Sequence, residues 1–185
     1  MDILNSFINM LCGSFNNDEQ INDELKNGKL IHMRASHINN ICNDKIKNLP
    51  EGFKGYFVIE ESYYELKNGT NILPHLFLFT LNEEGKVMLT SYEIPEKYSK
   101  EEFRNDNNEI AMDYNNLKIS EKFNPMVYEY EEGIFKGESL STFAPGITFL
   151  LKEHMNSEGL FVSEIFKRND VITFGFEDPI IYKRI

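Results

Sequence analysis

A run of short segments, each alternating apolar with polar residues and each closed by a turn signal, fills the chain from Gly55 onward. "YFVIEESYYEL" ends at Asn68-Gly69, a hairpin signal because both turn positions favour positive φ. "HLFLFTL" ends at "NEEGK", and "VMLTSYEI" ends at Pro95. Past a charged stretch over 96–116 the pattern resumes as "LKISEKF", "MVYEYEEG", "IFKGESL", "ITFLLKEH", "LFVSEIF", "VITFGF" and "IIYKRI". Pro, Gly, Asn and Asp pairs break these segments at a spacing of ~8–12 residues, which predicts a sandwich or barrel. Helical stretches are too few to cover a parallel sheet, so neighbouring strands are expected to be antiparallel. A closed up-and-down barrel of about eight to ten strands follows. Closure removes sheet edges and leaves an interior that can hold one small ligand.

Before the strands come two helical segments within residues 1–28. Ile3, Leu4, Phe7, Met10 and Leu11 recur at helical spacing, with Asp2 as the cap and Gly13 as the stop. A second, more polar helix is expected over 16–26, capped by Asn16 or Asn17. "LIHMRASHI" reads as a strand from Leu30, with His32, Arg34 and Ser36 on one face and Met33, Ala35 and His37 on the other. Residues 39–53 read as irregular. The 96–116 stretch reads as a long loop and the best candidate for a mobile segment, because it offers little apolar surface to bury.

A length of 185 residues predicts a single domain, 1–185, large enough to bury its own core. The net charge of −11 opposes binding to nucleic acid or to an anionic membrane surface. No stretch of ~20 apolar residues exists to span a bilayer, and the first eleven residues lack a basic leader. Cys12 and Cys42 are read as reduced thiols of a cytoplasmic protein, with one disulfide left open by their spacing. No ligand spacing for a metal and no glycine pattern for a dinucleotide or phosphate occurs.

Several residues could carry chemistry. His32 and Arg34 would grip a ligand carboxylate if their strand face turns inward, or would simply face solvent. Within "EESYY", Glu60 and Tyr64 share one face, and Glu61 and Tyr63 share the other. A glutamate pointing into an apolar interior would have its pKa raised and would suit proton transfer; Glu60 is that candidate. The bland alternative is a half-exposed strand with aromatic pairs. Tyr63 and Tyr64 would offer packing and hydroxyl contacts, and His75, behind Pro74, would sit at the rim.

The order of these features resembles the CpcT/CpeT family of chromophore lyases. The resemblance rests on Gly13, Phe15, Asn17 and Gln20, then His32-Met33-Arg34, then Gly55, Glu60 and Tyr63. It continues through "FKGES", "APGITF" and "LFVSEI" to Gly175, Pro179, Tyr182 and Arg184. Pro74-His75-Leu76 stands where the family has Pro-Tyr-Arg. The resemblance implies a calycin-like barrel that binds an open-chain tetrapyrrole (a bilin) and attaches it to a Cys of an acceptor protein. His32 and Arg34 would then pair with the ligand carboxylates and Glu60 would supply the acid, with the bilin as substrate and no resident cofactor. Two other readings stand beside it: a noncatalytic carrier of a lipid, haem or other apolar molecule, and a protein-interaction module using the acidic surface.

Overall fold

The computed structural model describes residues 2–185; Met1, the first residue of the expected helical segment 1–28, lies outside them. The chain forms a closed antiparallel barrel with an N-terminal helix. Helix α1 (Ile3–Leu11) leads through β1 (Gly13–Asn16) and helix α2 (Asp18–Lys26) to β2 (Ala35–Ile41). After a short β3 (Ile46–Lys47) come β4 (Tyr56–Leu66), β5 (Gly69–Leu81), β6 (Val87–Tyr92) and a short β7 (Met112–Asp113). The chain finishes with β8 (Met126–Glu131), β9 (Ile134–Ala144), β10 (Ile147–Asn156), β11 (Gly159–Arg168), β12 (Val171–Phe174) and β13 (Ile180–Arg184). Around the barrel the order is β1-β2-β4-β5-β6-β8-β9-β10-β11-β13, and β13 pairs back onto β1. Strand β12 adds to β11 outside the ring, and β3 and β7 form a separate parallel pair.

Tight turns fix the register. Glu132-Gly133 and Asn169-Asp170 both carry two consecutive positive φ angles, the geometry that matches strand twist in a two-residue hairpin. Between β4 and β5 the hairpin also forms, but Leu66 pairs with Gly69, so the turn falls on Lys67-Asn68, one residue earlier than expected.

Helix α1 explains the abrupt "LCGSFN" junction. Leu4, Phe7, Ile8 and Leu11 are buried, so the helix puts its apolar stripe across one end of the barrel. Phe7 is fully enclosed, and its ring meets Phe79, Tyr128 and Phe135 at centroid distances of 5.1, 4.6 and 5.0 Å. Gly13, at φ +142°, turns the chain straight from helix to strand, in backbone geometry that L side chains rarely adopt. No basic residue lies in the last turn of α1; Arg184 from β13 supplies one, donating to the carbonyls of Asn9, Met10 and Cys12. Asn17 holds the next joint, with its amide donating to Met33 O and its carbonyl accepting from Ala35 N. Gln20 ties α2 to the closing strand through Ile181 N and Pro179 O.

Three segment readings are corrected. Residues 30–34 are irregular and the strand starts only at Ala35, because Asn17 and Glu24 take up the backbone groups that a sheet neighbour would otherwise use. "LKISEKF" makes one isolated bridge, Tyr92 to Ile119, rather than a strand. The 96–116 segment is packed: Phe103, Ile110 and Met112 are buried against the outer face of β4 and β5, beside Phe57, Ile59, Leu76 and Leu78. Its apolar residues are few but widely spaced, so each reaches that face. Glu61 anchors it, accepting from Asn105 N and Asn105 Nδ2 at 2.7 Å each and from the Tyr63 hydroxyl. No helix among the described residues is long and apolar enough to cross a membrane.

Candidate functional site

Alternation along the strands decides which side chains face inward. Cross-strand partners share a face, so Asn39, Glu60 and His75 form one inward row across β2, β4 and β5. Tyr128, Gly137, Glu153 and Val162 form another across β8, β9, β10 and β11. Near α1 the interior is solid with aromatic rings. Farther along the axis the side chains stand apart around a cavity of about 210 Å³. Leu73, Phe77, Leu89, Met126, Phe149 and Leu151, with the rings of Phe123, Phe166 and Phe174, make most of its wall. Three carboxylates face it from three strands: Glu60 on β4, Glu153 on β10 and Glu164 on β11. No Lys or Arg is among its lining residues.

Each carboxylate is held differently. Glu60 is 6% exposed and accepts from Ser62 Oγ at 3.3 Å. Its Oε2 lies 3.8 Å from Nδ1 of His37, a charge pair too long to be a hydrogen bond. Burial pushes the Glu60 carboxyl up, but the His37 charge, helped by His75 and Ser62, outweighs it and holds the group below its ordinary value. His37 shifts the opposite way: burial lowers it, and the carboxylates of Glu60, Glu164 and Glu153 more than reverse that. Glu153 accepts from the Tyr128 hydroxyl, whose ring crosses over Gly137 where a Cβ would crowd it. What remains exposed of Glu153 faces the cavity rather than bulk water. Burial first, and then the charge of Glu60, push its carboxyl up to about 7. Glu164 accepts from the Tyr64 hydroxyl at 2.6 Å.

The residues singled out from the sequence separate into two groups. Glu60 and His75 face each other across β4 and β5 and line the cavity. Tyr64 also points inward and reaches the cavity through Glu164. Tyr63 points outward onto Glu61. His32 is buried outside the barrel, with Nδ1 2.5 Å from Glu24 Oε1 and Nε2 3.1 Å from Asp178 O, tying α2 to the segment before β13. Arg34 pairs with Asp18 and lies 3.8 Å from Glu65 on the outer surface. The inward row formed by His32 and Arg34 is therefore not assembled. The two lie before the strand begins, where period-2 alternation does not apply, and both already have acidic partners.

Sequence reading missed Glu153, Glu164 and His37. Glu153 shares the inward register of β10 with Phe149, Leu151 and Met155, and Glu164 shares that of β11 with Leu160, Val162 and Phe166. An acid inside an apolar period-2 register is the signal that could have found both. Cys12 and Cys42 are free thiols, pushed up by burial to about 11 and about 12, so neither is a ready nucleophile. Among the described residues no group of His, Cys, Asp and Glu is arranged to hold a metal ion. Chemically the chamber offers three carboxyl groups, with His75, Ser91, Asn124 and Ser139 beside them, in a mostly apolar enclosure, an environment that strengthens whatever hydrogen bond a ligand makes there. No family model, curated protein or solved structure matches the chain.

Proposed function

We propose that this chain is a ligand-binding barrel that encloses one small amphipathic molecule, its apolar body against the wall and its polar head against the carboxylates. The observation that carries this reading is the 210 Å³ chamber with Glu60, Glu153 and Glu164 on an otherwise mostly apolar lining. Burying carboxylates costs stability, and a barrel that needed only a core would fill this space with hydrocarbon, as it does around Phe7. Departures from good packing concentrate at functional sites. Drug-sized ligands occupy ~300–1,000 Å³, so the molecule that fits this chamber is smaller.

The bilin-lyase reading is supported by the order of motifs along the chain. In it, Glu60 would protonate the tetrapyrrole and the barrel would position it for an acceptor thiolate. It needs a wider chamber and a cation for the propionates, while His32 and Arg34 stand outside. One set of measurements separates the readings. Thermal unfolding and calorimetry are run with biliverdin, haem, a fatty acid and small aromatic amphiphiles. A small amphiphile at ~100 times its Kd should stabilise the fold by ~2.7 kcal/mol, and so raise Tm by roughly 5–11 °C. Biliverdin binding followed by transfer to an acceptor Cys would establish the lyase instead. If no member of the panel shifts Tm, the ligand-binding reading is wrong and the protein-interaction module takes its place.

A further inference from the structure

We propose that the ligand of this chamber is a small organic cation, a primary amine on an aromatic or aliphatic body, whose ammonium is received by Glu60, Glu153 and Glu164 beneath a rim of phenylalanines. This rests on the ligand-binding reading and adds the chemical class to it.

Two observations beyond the carboxylates point this way. The first is His37. It is 1% exposed and lies on β2 in the inward register with Ala35 and Asn39, so its ring points into the same interior as the three acids. Neither ring nitrogen has a hydrogen-bond partner, and its nearest acidic oxygen is Glu60 Oε2 at 3.8 Å. Buried polar side chains nearly always find a partner, so an orphan here marks a polar network that the protein alone leaves incomplete. The second is the far end of the chamber. Phe123, Phe149, Phe166 and Phe174 line it, and Phe143 on β9 packs on three of them. Ring centroids in this group lie 4.5–6.2 Å apart. Aromatic faces attract a cation that has left water.

The donor count also matches. An ammonium carries three N–H donors and no acceptor, and the chamber presents three carboxyl groups from three strands, of which Glu153 becomes acceptor-only as it ionises above about 7. Each of those carboxylates already has one anchoring hydroxyl, from Ser62, Tyr128 or Tyr64, which holds it in place and leaves its other oxygen available. A carboxylate ligand would meet like charges with only His37, already beside Glu60, to offset them. A neutral alcohol would leave those charges unbalanced. A cation both fills the space and balances Glu153 and Glu164, which His37, standing beside Glu60, leaves without an ion-pair partner.

The test uses three ligands with one aromatic body: 2-phenylethylamine, 2-phenylethanol and phenylacetate. Each is titrated calorimetrically into the full-length chain at pH 7.5. The amine should bind one to one, the alcohol at least roughly tenfold more weakly because charge-assisted hydrogen bonds are about twice as strong as neutral ones, and phenylacetate not at all. Glu164→Gln keeps the shape and an acceptor for Tyr64; it should weaken the amine about tenfold and leave the alcohol within about twofold. If the alcohol or phenylacetate binds within threefold of the amine, the cation assignment is wrong while the ligand-binding barrel stands. The same holds if only other neutral amphiphiles bind. If none of the three binds, the cation assignment falls, and the ligand-binding reading falls with it only if no member of the wider panel shifts Tm. The wild-type comparison decides the matter even where a variant fails to fold.

Discussion

Removing the Phe7 ring tests the role of the helix that closes the barrel. Phe7 is 0% exposed and packs on Phe79, Tyr128 and Phe135, which stand on three different strands. Phe7→Ala deletes the ring and leaves a void that β-strands locked by ladder hydrogen bonds cannot close. Buried Phe→Ala changes cost ~3–5 kcal/mol, and three edge-on or tilted aromatic contacts place this one near the top of that range, at about 4–5 kcal/mol. In a chain of this size each kcal/mol lowers Tm by ~2–4 °C, so the expected fall is roughly 8–20 °C. Urea unfolding followed by far-UV circular dichroism measures it; there is no Trp to follow by fluorescence. Asn9→Ala, on the exposed side of the same helix, is the control and should stay within ~0.5 kcal/mol. A Phe7→Ala loss below ~1 kcal/mol, or one equal to the control, would mean that α1 lies on the barrel without sealing it.

Glu153 should make the fold less stable as pH rises. Its folded pKa of about 7 exceeds the ordinary 4.5, so between those values the folded state holds a proton that the unfolded state has released. Wild type should therefore lose stability relative to Glu153→Gln from pH 4.5 to about 7.5, by at most roughly 3 kcal/mol at ~1.4 kcal/mol per pKa unit; a flat difference would remove the assignment. Glu60, Glu164, His37 and Tyr128 face the same group, and the Gln variant leaves all four in place. Glu61→Ala should cost about 2–3 kcal/mol by stripping acceptors from Asn105 and Tyr63, and should speed proteolytic cleavage within 96–116; unchanged cleavage would show that other contacts hold the strap. Arg34→Ala should change ligand affinity less than twofold and stability by less than ~1 kcal/mol, as for an exposed ion pair, whereas a large affinity loss would return Arg34 to the site.

The strands were readable because turn residues punctuate the chain and alternation survives within each segment, as in "MVYEY" or "IIYKRI". The failures share one cause: side chains doing the work of a sheet or a core at long range. Nothing near residues 30–34 announces that Asn17 and Glu24 occupy their backbone groups. Phe103, Ile110 and Met112 look isolated until β4 and β5 present an outer apolar face to receive them. Within the site, Glu60 stood out because it interrupts an apolar strand. Its partners on β2, β10 and β11 come together only when the ring closes. His32 and Arg34 drew attention as a local pair, and a local pair says nothing about which acids the fold will bring to it. Several positions behind the motif resemblance, Asn17, Gln20 and Arg184, hold elements together rather than face the cavity.

Strand β13 sits between β1 and β11, so the two ends of the described chain meet in one ladder. This has a consequence for how the molecule is made. Until residues 180–184 arrive, β1 and the 160–162 part of β11 each expose a free edge, and the growing protein on the ribosome is an open sheet with the adhesive margins that favour aggregation. Ring closure joins residues separated by almost the whole sequence, an arrangement associated with slow folding. The nascent chain is thus most vulnerable just before synthesis of this strand is complete, the interval in which a chaperone would matter most.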